Sequence, residues 1–196
     1  MTVDVSFQVR GSVVPRDHAY SLFRALAERL EWLDAEPGAG VHPIHGTASA
    51  SGDIFLGHRA RLVLRLGAER AEQALGLAGA KLDVGSGLEV GPGRIRELMP
   101  YATQYSHFVS TGLADEADFL RGAAERLKEA GIPCGLICGR ARVARTPAGE
   151  VRGFSLLLHG LTMEQSIAVQ EAGLGEARKL GCGIFVPHKS LAAVGT

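Results

Sequence analysis

Apolar and polar residues alternate along residues 3–10, with Val3, Val5, Phe7 and Val9 on one side and Asp4, Ser6, Gln8 and Arg10 on the other. Strand side chains point to opposite faces in turn, so this pattern predicts a strand buried on one face. Residues 11–16 read as a loop. Asp17 is the expected N-cap of a helix in which Leu22, Phe23, Leu26, Leu30 and Leu33 recur at helical spacing, ended by Pro37-Gly38-Ala39-Gly40. A short segment at 41–49 follows. Residues 53–66 read as one long strand, 68–78 as a helix and 81–90 as a strand with a glycine turn. The second half repeats the order. Residues 103–111 form a strand, and 115–130 a helix with Phe119, Leu120, Ala123 and Leu127 inward, stopped by Gly131 and Pro133. Strands at 134–146 and 150–159 are joined at Pro147-Ala148-Gly149. Thr162 and Gln165 have capping-box spacing, which predicts a helix over 163–172, and 183–188 is a last strand.

Both halves therefore read β-α-β-β-α-β. The expected fold class is α+β, with tandem ferredoxin-like (RRM-like) βαββαβ units: an N-terminal domain over 1–98 and a C-terminal one over 99–196 that carries a glycine-rich loop. This order serves unrelated tasks, so function must come from the residues.

The composition supports a packed core: 46% of the 196 residues are hydrophobic and 21% charged. Lys plus Arg and Asp plus Glu are 21 each, so the net charge is zero. That argues against a uniformly basic nucleic-acid binder but leaves room for a local basic patch. Three cysteines without a CxxC support neither a disulfide framework nor a structural zinc site. Residues 1–10 contain no basic segment followed by an apolar run, and no apolar stretch approaches the ~20 residues that span a bilayer. The expectation is a soluble, cytoplasmic protein with no membrane partner.

Charge is unevenly placed. Arg59, Arg61 and Arg65 share one predicted strand face in a segment without acids. Arg140, Arg142, Arg145 and Arg152 stand against Glu150 alone, with Arg140 and Arg142 on one strand face. Such faces suit a phosphate backbone, although an ordinary solvated face reads the same way. Gly173-Leu174-Gly175-Glu176-Ala177-Arg178-Lys179-Leu180-Gly181-Cys182-Gly183 puts four glycines around two adjacent basic residues. Glycines let backbone N–H groups approach an anion closely. The run follows a helix, so it is neither a P-loop nor a dinucleotide fingerprint. Of seven histidines, His18 starts the first helix with Tyr20 two residues on, and His42 and His45 flank Pro43-Ile44. A histidine is a general base near neutral pH without a large pKa shift. His42 and His45 have no third ligand placed for a metal, so no metal site is expected.

Gly173-Leu174-Gly175-Glu176-Ala177-Arg178-Lys179-Leu180-Gly181-Cys182-Gly183-Ile184-Phe185-Val186-Pro187-His188-Lys189 resembles the glycine-rich signature of the RAMP superfamily. Within it the chain is similar to the Cas6 family of CRISPR repeat-processing endoribonucleases, in its MYXAN-type branch. Pro15-Arg16-Asp17-His18-Ala19-Tyr20-Ser21-Leu22-Phe23-Arg24-Ala25-Leu26, Gly40-Val41-His42-Pro43-Ile44 and Gly153-Phe154-Ser155-Leu156-Leu157-Leu158-His159-Gly160-Leu161 support the likeness across the chain. The resemblance implies an enzyme that binds the repeat of a CRISPR precursor RNA and cuts it without a metal or other cofactor. The ribose 2′-hydroxyl attacks, leaving a 2′,3′-cyclic phosphate and a 5′-hydroxyl. It implies a catalytic histidine from the first helix or the loop after it, His18 or His42 with His45 third, and Tyr20 to position or protonate. Which histidine is the base stays open. Gly173, Gly175, Arg178, Lys179, Gly181, Gly183 and Lys189 would hold RNA phosphates. Arg140, Arg142 and Arg145 would grip the stem through its backbone. The mature RNA and other subunits of a type I interference complex are the further partners implied.

Three other readings compete. A non-catalytic RNA-binding RAMP subunit of an effector complex would share fold and basic faces. A 2H-type phosphoesterase needs two His-x-Thr-x motifs; His45-Gly46-Thr47-Ala48 fits one, and His159-Gly160-Leu161-Thr162 is out of register. A small-molecule-binding ferredoxin-like protein would make the glycine run purely structural.

Overall fold

The computed structural model describes residues 1–189. The chain divides into two compact units, Met1–Glu97 and a second that begins at Leu98.

In the first unit β1 (Thr2–Arg10) is the central strand. It is followed by β2 (Val13–Pro15), α1 (Ala19–Ala27), β3 (Gly40–Val41), β4 (Thr47–Ala48), β5 (Asp53–Phe55), β6 (Arg61–Gly67), α2 (Ala71–Leu75), β7 (Lys81–Leu82) and β8 (Leu88–Glu97). The main sheet has the order β3-β6-β1-β8-β7, and a small second sheet has the order β2-β5-β4. Val3, Val5, Phe7 and Val9 form one core with Leu62, Leu64 and Leu66 of β6 and with Leu22, Leu26, Ala71 and Ala74 of the helices. Truncating a fully buried phenylalanine such as Phe7 to alanine costs about 3–5 kcal/mol. The polar residues of β1 and β6 fall on the opposite face, where Asp4 stands directly across from Arg65.

The second unit contains β9 (Thr103–Val109), α3 (Glu116–Glu129), β10 (Gly135–Thr146), β11 (Gly149–His159), α4 (Met163–Ala172) and β12 (Val186–Pro187), with sheet order β10-β11-β9-β12. Its core joins Phe119, Ala123 and Leu127 of α3 to Phe154, Leu156 and Leu158 of β11 and Val169 of α4. Asp115 caps α3 by accepting from the N–H groups of Ala117 and Asp118. Thr162 and Gln165 form a complete capping box at the start of α4. Taking β1, β3, β6 and β8 in the first unit and β9, β10, β11 and β12 in the second, both main sheets have the ferredoxin-like order second-third-first-fourth, with β7 added outside β8 in the first. Among the described residues, no helix is long and apolar enough to cross a membrane.

Several sequence expectations need correction. The first helix stops at Ala27, and its N-cap is His18, not Asp17. Leu30 and Leu33 are buried as expected, but on turns closed by Leu30 N–H to Leu26 C=O and Leu33 N–H to Leu30 C=O. Successive turns place apolar residues three and four apart much as a helix does, so the spacing alone could not separate the two. The long strand at 53–66 is broken. β5 leaves to pair with β2 and β4, and a turn closed by Ala60 N–H to Gly57 C=O precedes β6. Arg59 therefore lies in a turn, and no three-arginine strand face exists. The final strand is only Val186–Pro187.

Candidate active site

His18 closes the entry to α1. Its Nε2 accepts the Ile44 N–H at 3.0 Å, so Nδ1 carries the proton and donates to the Pro15 carbonyl at 2.8 Å. The side chain is 3% exposed, and burial pushes its pKa below the ordinary 6.5. Both ring nitrogens are engaged by the backbone, an arrangement that suits a structural tie more than the expected catalytic role. The imidazole ties the start of the helix to the loop that carries His42 and His45. Tyr20 is the second residue of α1 and is half-buried.

That loop runs on from β3. The His42 N–H donates to Val63 C=O at 3.0 Å, which extends the β3–β6 ladder by one residue and fixes the side chain at the sheet edge. His42 Nε2 lies 3.6 Å from Asp4 Oδ1. Asp4 itself is gripped bidentately, by Arg65 Nε at 2.8 Å and Arg65 Nη2 at 2.9 Å. Arg65 is 1% exposed, the largest fully buried side chain among the described residues. Burial alone would raise the Asp4 pKa. The hydrogen bonds and charge of Arg65, with His42 close by, outweigh it and hold the carboxyl well below the usual carboxylate range. Arg65 was expected on a solvated basic face; it is instead the clamp of a buried carboxylate.

His45, three residues on, is exposed. Desolvation by the protein around it, then repulsion from His42 and His18, lowers its pKa below the ordinary 6.5. The loop thus presents an exposed imidazole held neutral near a second imidazole that faces a carboxylate. An exposed imidazole beside one that faces a carboxylate supplies the two groups general acid–base chemistry needs. The spacing of the histidines was legible in the sequence. Asp4 was not singled out, because its pairing with Arg65 spans 61 residues.

The glycine-rich run is shaped largely by packing. Gly173, Gly175, Gly181 and Gly183 all have positive φ, as does Ala177 at 61°. A Cβ at Gly175 would strike the Ser110 carbonyl and one at Gly183 the Leu174 carbonyl. The Gly183 N–H donates to Phe108 C=O at 2.7 Å and the Glu176 N–H to Ser110 C=O at 3.1 Å, so these donors are engaged within the unit. Arg178 folds back on α4. Its Nη1 donates to the carbonyls of Glu171 at 2.6 Å and Ala172 at 2.9 Å, and Nη2 to that of Gln170 at 3.4 Å. The last turn of α4 carries no basic residue of its own, and Arg178 supplies the missing cation. The guanidinium expected to hold RNA phosphates thus caps the end of α4 in this structure. Lys179 is half-buried in the turn Arg178–Leu180, and Lys189 is exposed beyond β12.

On the β10–β11 hairpin a bulge sets Gly139 and Arg140 against Ser155, whose hydroxyl accepts the Arg140 N–H at 3.0 Å. Arg140 and Arg145 are exposed; Arg142 is half-buried, and its Nε has no hydrogen-bond partner. Arg145 and Arg152 both pair with Glu150, at 3.4 and 2.7 Å, so that end of the hairpin is partly neutralised. Among the described residues, no group of three or more His, Cys, Asp and Glu is arranged to hold a metal ion.

A family model described as Cas6 Crispr matches residues 3–190. The chain is 37% identical over 194 residues to a curated protein of Myxococcus xanthus (strain DK1622) named CRISPR-associated endonuclease Cas6; the match covers 98% of this chain and 84% of the relative. A solved structure named CRISPR associated protein Cas6 superposes with a TM-score of 0.73 at 15% identity, over 96% of this chain and 100% of the other. A RAMP protein described as binding different RNA substrates gives 0.67 at 13% identity, over 96% and 100%. Thermus thermophilus Cse3, bound to an RNA representing a pre-cleavage complex, gives 0.57 at 15% identity, over 94% and 97%. Identities this low speak for the fold, a tandem ferredoxin-like one, and the sequence match speaks for the family. With a family model and a 37% identical relative both spanning nearly the whole chain, the protein belongs to the Cas6 family of CRISPR-associated proteins.

Proposed function

We propose that this protein is a metal-independent endoribonuclease that binds CRISPR precursor RNA and cuts it within the repeat to release guide RNAs. The observation that carries the reading is the match over 98% of the chain to a relative named as an endonuclease. The histidine loop supplies chemistry to go with it. His45, exposed and neutral, takes the proton of the ribose 2′-hydroxyl. The O2′–P bond forms and the P–O5′ bond breaks. His42 gives its proton to the departing O5′. One product ends in a 2′,3′-cyclic phosphate and the other begins with a 5′-hydroxyl, so one proton enters the site and one leaves it. Arg140, Arg142 and Arg145 contact the RNA backbone from the hairpin, with Lys179 and Lys189 as further cations. The reaction belongs in the cytoplasm with the transcript, and product-bound protein is proposed to join other subunits of a type I interference complex.

The test is cleavage of a labelled repeat RNA from the source genome in excess EDTA, beside a substrate with one 2′-deoxy nucleotide at the cut site. Cleavage is expected to persist in EDTA and to stop with the deoxy substrate. His42→Ala and His45→Ala should each slow single-turnover cleavage by about 10²–10⁴-fold, with RNA affinity within a few-fold of the parent. Tight binding of an intact RNA would instead make the protein a non-catalytic RAMP subunit.

A further inference from the structure

The charged cluster on the helix-free face of the first sheet contains a group that the reaction above does not use. Asp4 sits on the central strand, Arg65 on the next and His42 just beyond the edge strand, so three strands converge on one carboxylate. Gly40 pairs with Arg65 across β3 and β6 and brings no side chain of its own to that row. We propose that Asp4, locked by the bidentate grip of Arg65, is a positioning residue that orients His42 through Nε2 and favours its imidazolium form, thereby making His42 the acid and leaving His45 the base. The inference rests on the endoribonuclease reading.

The physical case is one of placement and exposure. Asp4 Oδ1 is 3.6 Å from His42 Nε2, longer than a hydrogen bond but within strong ionic reach for side chains only 20% and 12% exposed. A carboxylate free to rotate would lose that contact to water. The planar guanidinium, with both oxygens engaged at 2.8 and 2.9 Å, removes that freedom. A lone buried pair between Asp4 and Arg65 would be a costly way to hold a sheet together, since two charges leave water for one contact. The carboxylate gains a use if it sets a neighbour's protonation. The charged and titratable groups near His42 include Asp4 from β1, with Arg65 of β6 on its carboxylate, and the imidazole of His45. Arg65 shares the carboxylate and offsets part of its field, so the expected effect on His42 is near one pH unit, the low end of what a bare neighbouring carboxylate does.

The experiment combines a histidine titration with a rate profile. In uniformly ¹⁵N-histidine-labelled wild-type protein, with signals assigned by His42→Gln and His45→Gln, His42 is expected to titrate at higher pH than His45. In Asp4→Asn, which keeps an oxygen for Arg65, the His42 midpoint should fall by about one unit. The alkaline limb of the single-turnover pH–rate profile should fall by the same amount, and cleavage at pH 8 should drop about 10-fold with RNA affinity unchanged. Arg65→Lys, which keeps the cation but not the fork, should give a smaller shift of the same sign. If His42 titrates below His45 in the wild type, or if Asp4→Asn lowers rate and melting temperature without moving either midpoint, Asp4 is merely structural and the proposal is overturned. Failure of wild-type protein to cleave overturns the enzymatic reading instead, and the titration tells the two failures apart because it needs no RNA.

Discussion

A single imidazole can serve opposite ends according to what its two nitrogens touch. His18 has a backbone carbonyl on one nitrogen and a backbone N–H on the other, so it is part of the scaffold. His18→Ala should leave the Ile44 N–H and the Pro15 carbonyl unsatisfied and destabilise the protein by about 2–5 kcal/mol in denaturant melts. His18→Gln separates the pH effect. In the folded state burial keeps His18 neutral below its ordinary 6.5, whereas the unfolded chain takes up a proton there. The stability this contributes is complete above about pH 6.5 and is lost as the pH falls from there toward the lower folded-state value. Melting temperature should thus decline on acidification below pH 6.5 in the wild type and less steeply in His18→Gln. An equal slope in both would remove His18 from the account. His45 titrates in the same direction, so a residual slope in the variant is expected.

At the scale of an element, the run 173–183 behaves as a packed connector more than as an open cradle. Its glycines are demanded by close backbone approach and by left-handed φ. Gly183→Ala combines a φ of 67° with a Cβ against the Leu174 carbonyl, and should cost about 1–3 kcal/mol in melts while leaving the histidine loop of the first unit unaltered. A variant as stable as the parent would show that the connector can shift and that packing is not why glycine stands there. The motif was legible as a string, but the reason for it was not. Four glycines around Arg178 and Lys179 suggest an anion site from sequence, yet the guanidinium of Arg178 closes the end of α4. Composition cannot tell a cation aimed outward from one folded back on its own backbone.

For the whole molecule, zero net charge means that RNA affinity must come from local concentration of cations. The β10–β11 hairpin is where it should be sought. Arg145 and Arg152 share Glu150, which leaves Arg140 and Arg142 as the stronger contributors. Replacing both by alanine should weaken binding uniformly across RNA sequences and flatten the log-affinity versus log-salt slope by about one per arginine. An unchanged slope would place the phosphate contacts elsewhere.

The sequence by itself determined the local elements and the family. Period-two alternation marked β1, apolar spacing marked α3, and Thr162 with Gln165 marked both the start and the cap of α4, because each signal lies within a few consecutive residues. The order of those elements and the quoted motifs carried the ferredoxin-like duplication and the Cas6 resemblance. Tertiary structure decided what each charged side chain is for. Arg65 became a buried clamp, Arg178 a helix cap and His18 a structural tie, while Asp4 emerged beside His42. Each outcome depends on cross-strand register or on a chain reversal, and the Asp4–Arg65 contact joins residues 61 positions apart. Local periodicity says which face of a strand a residue occupies. Only the folded sheet says what stands opposite it.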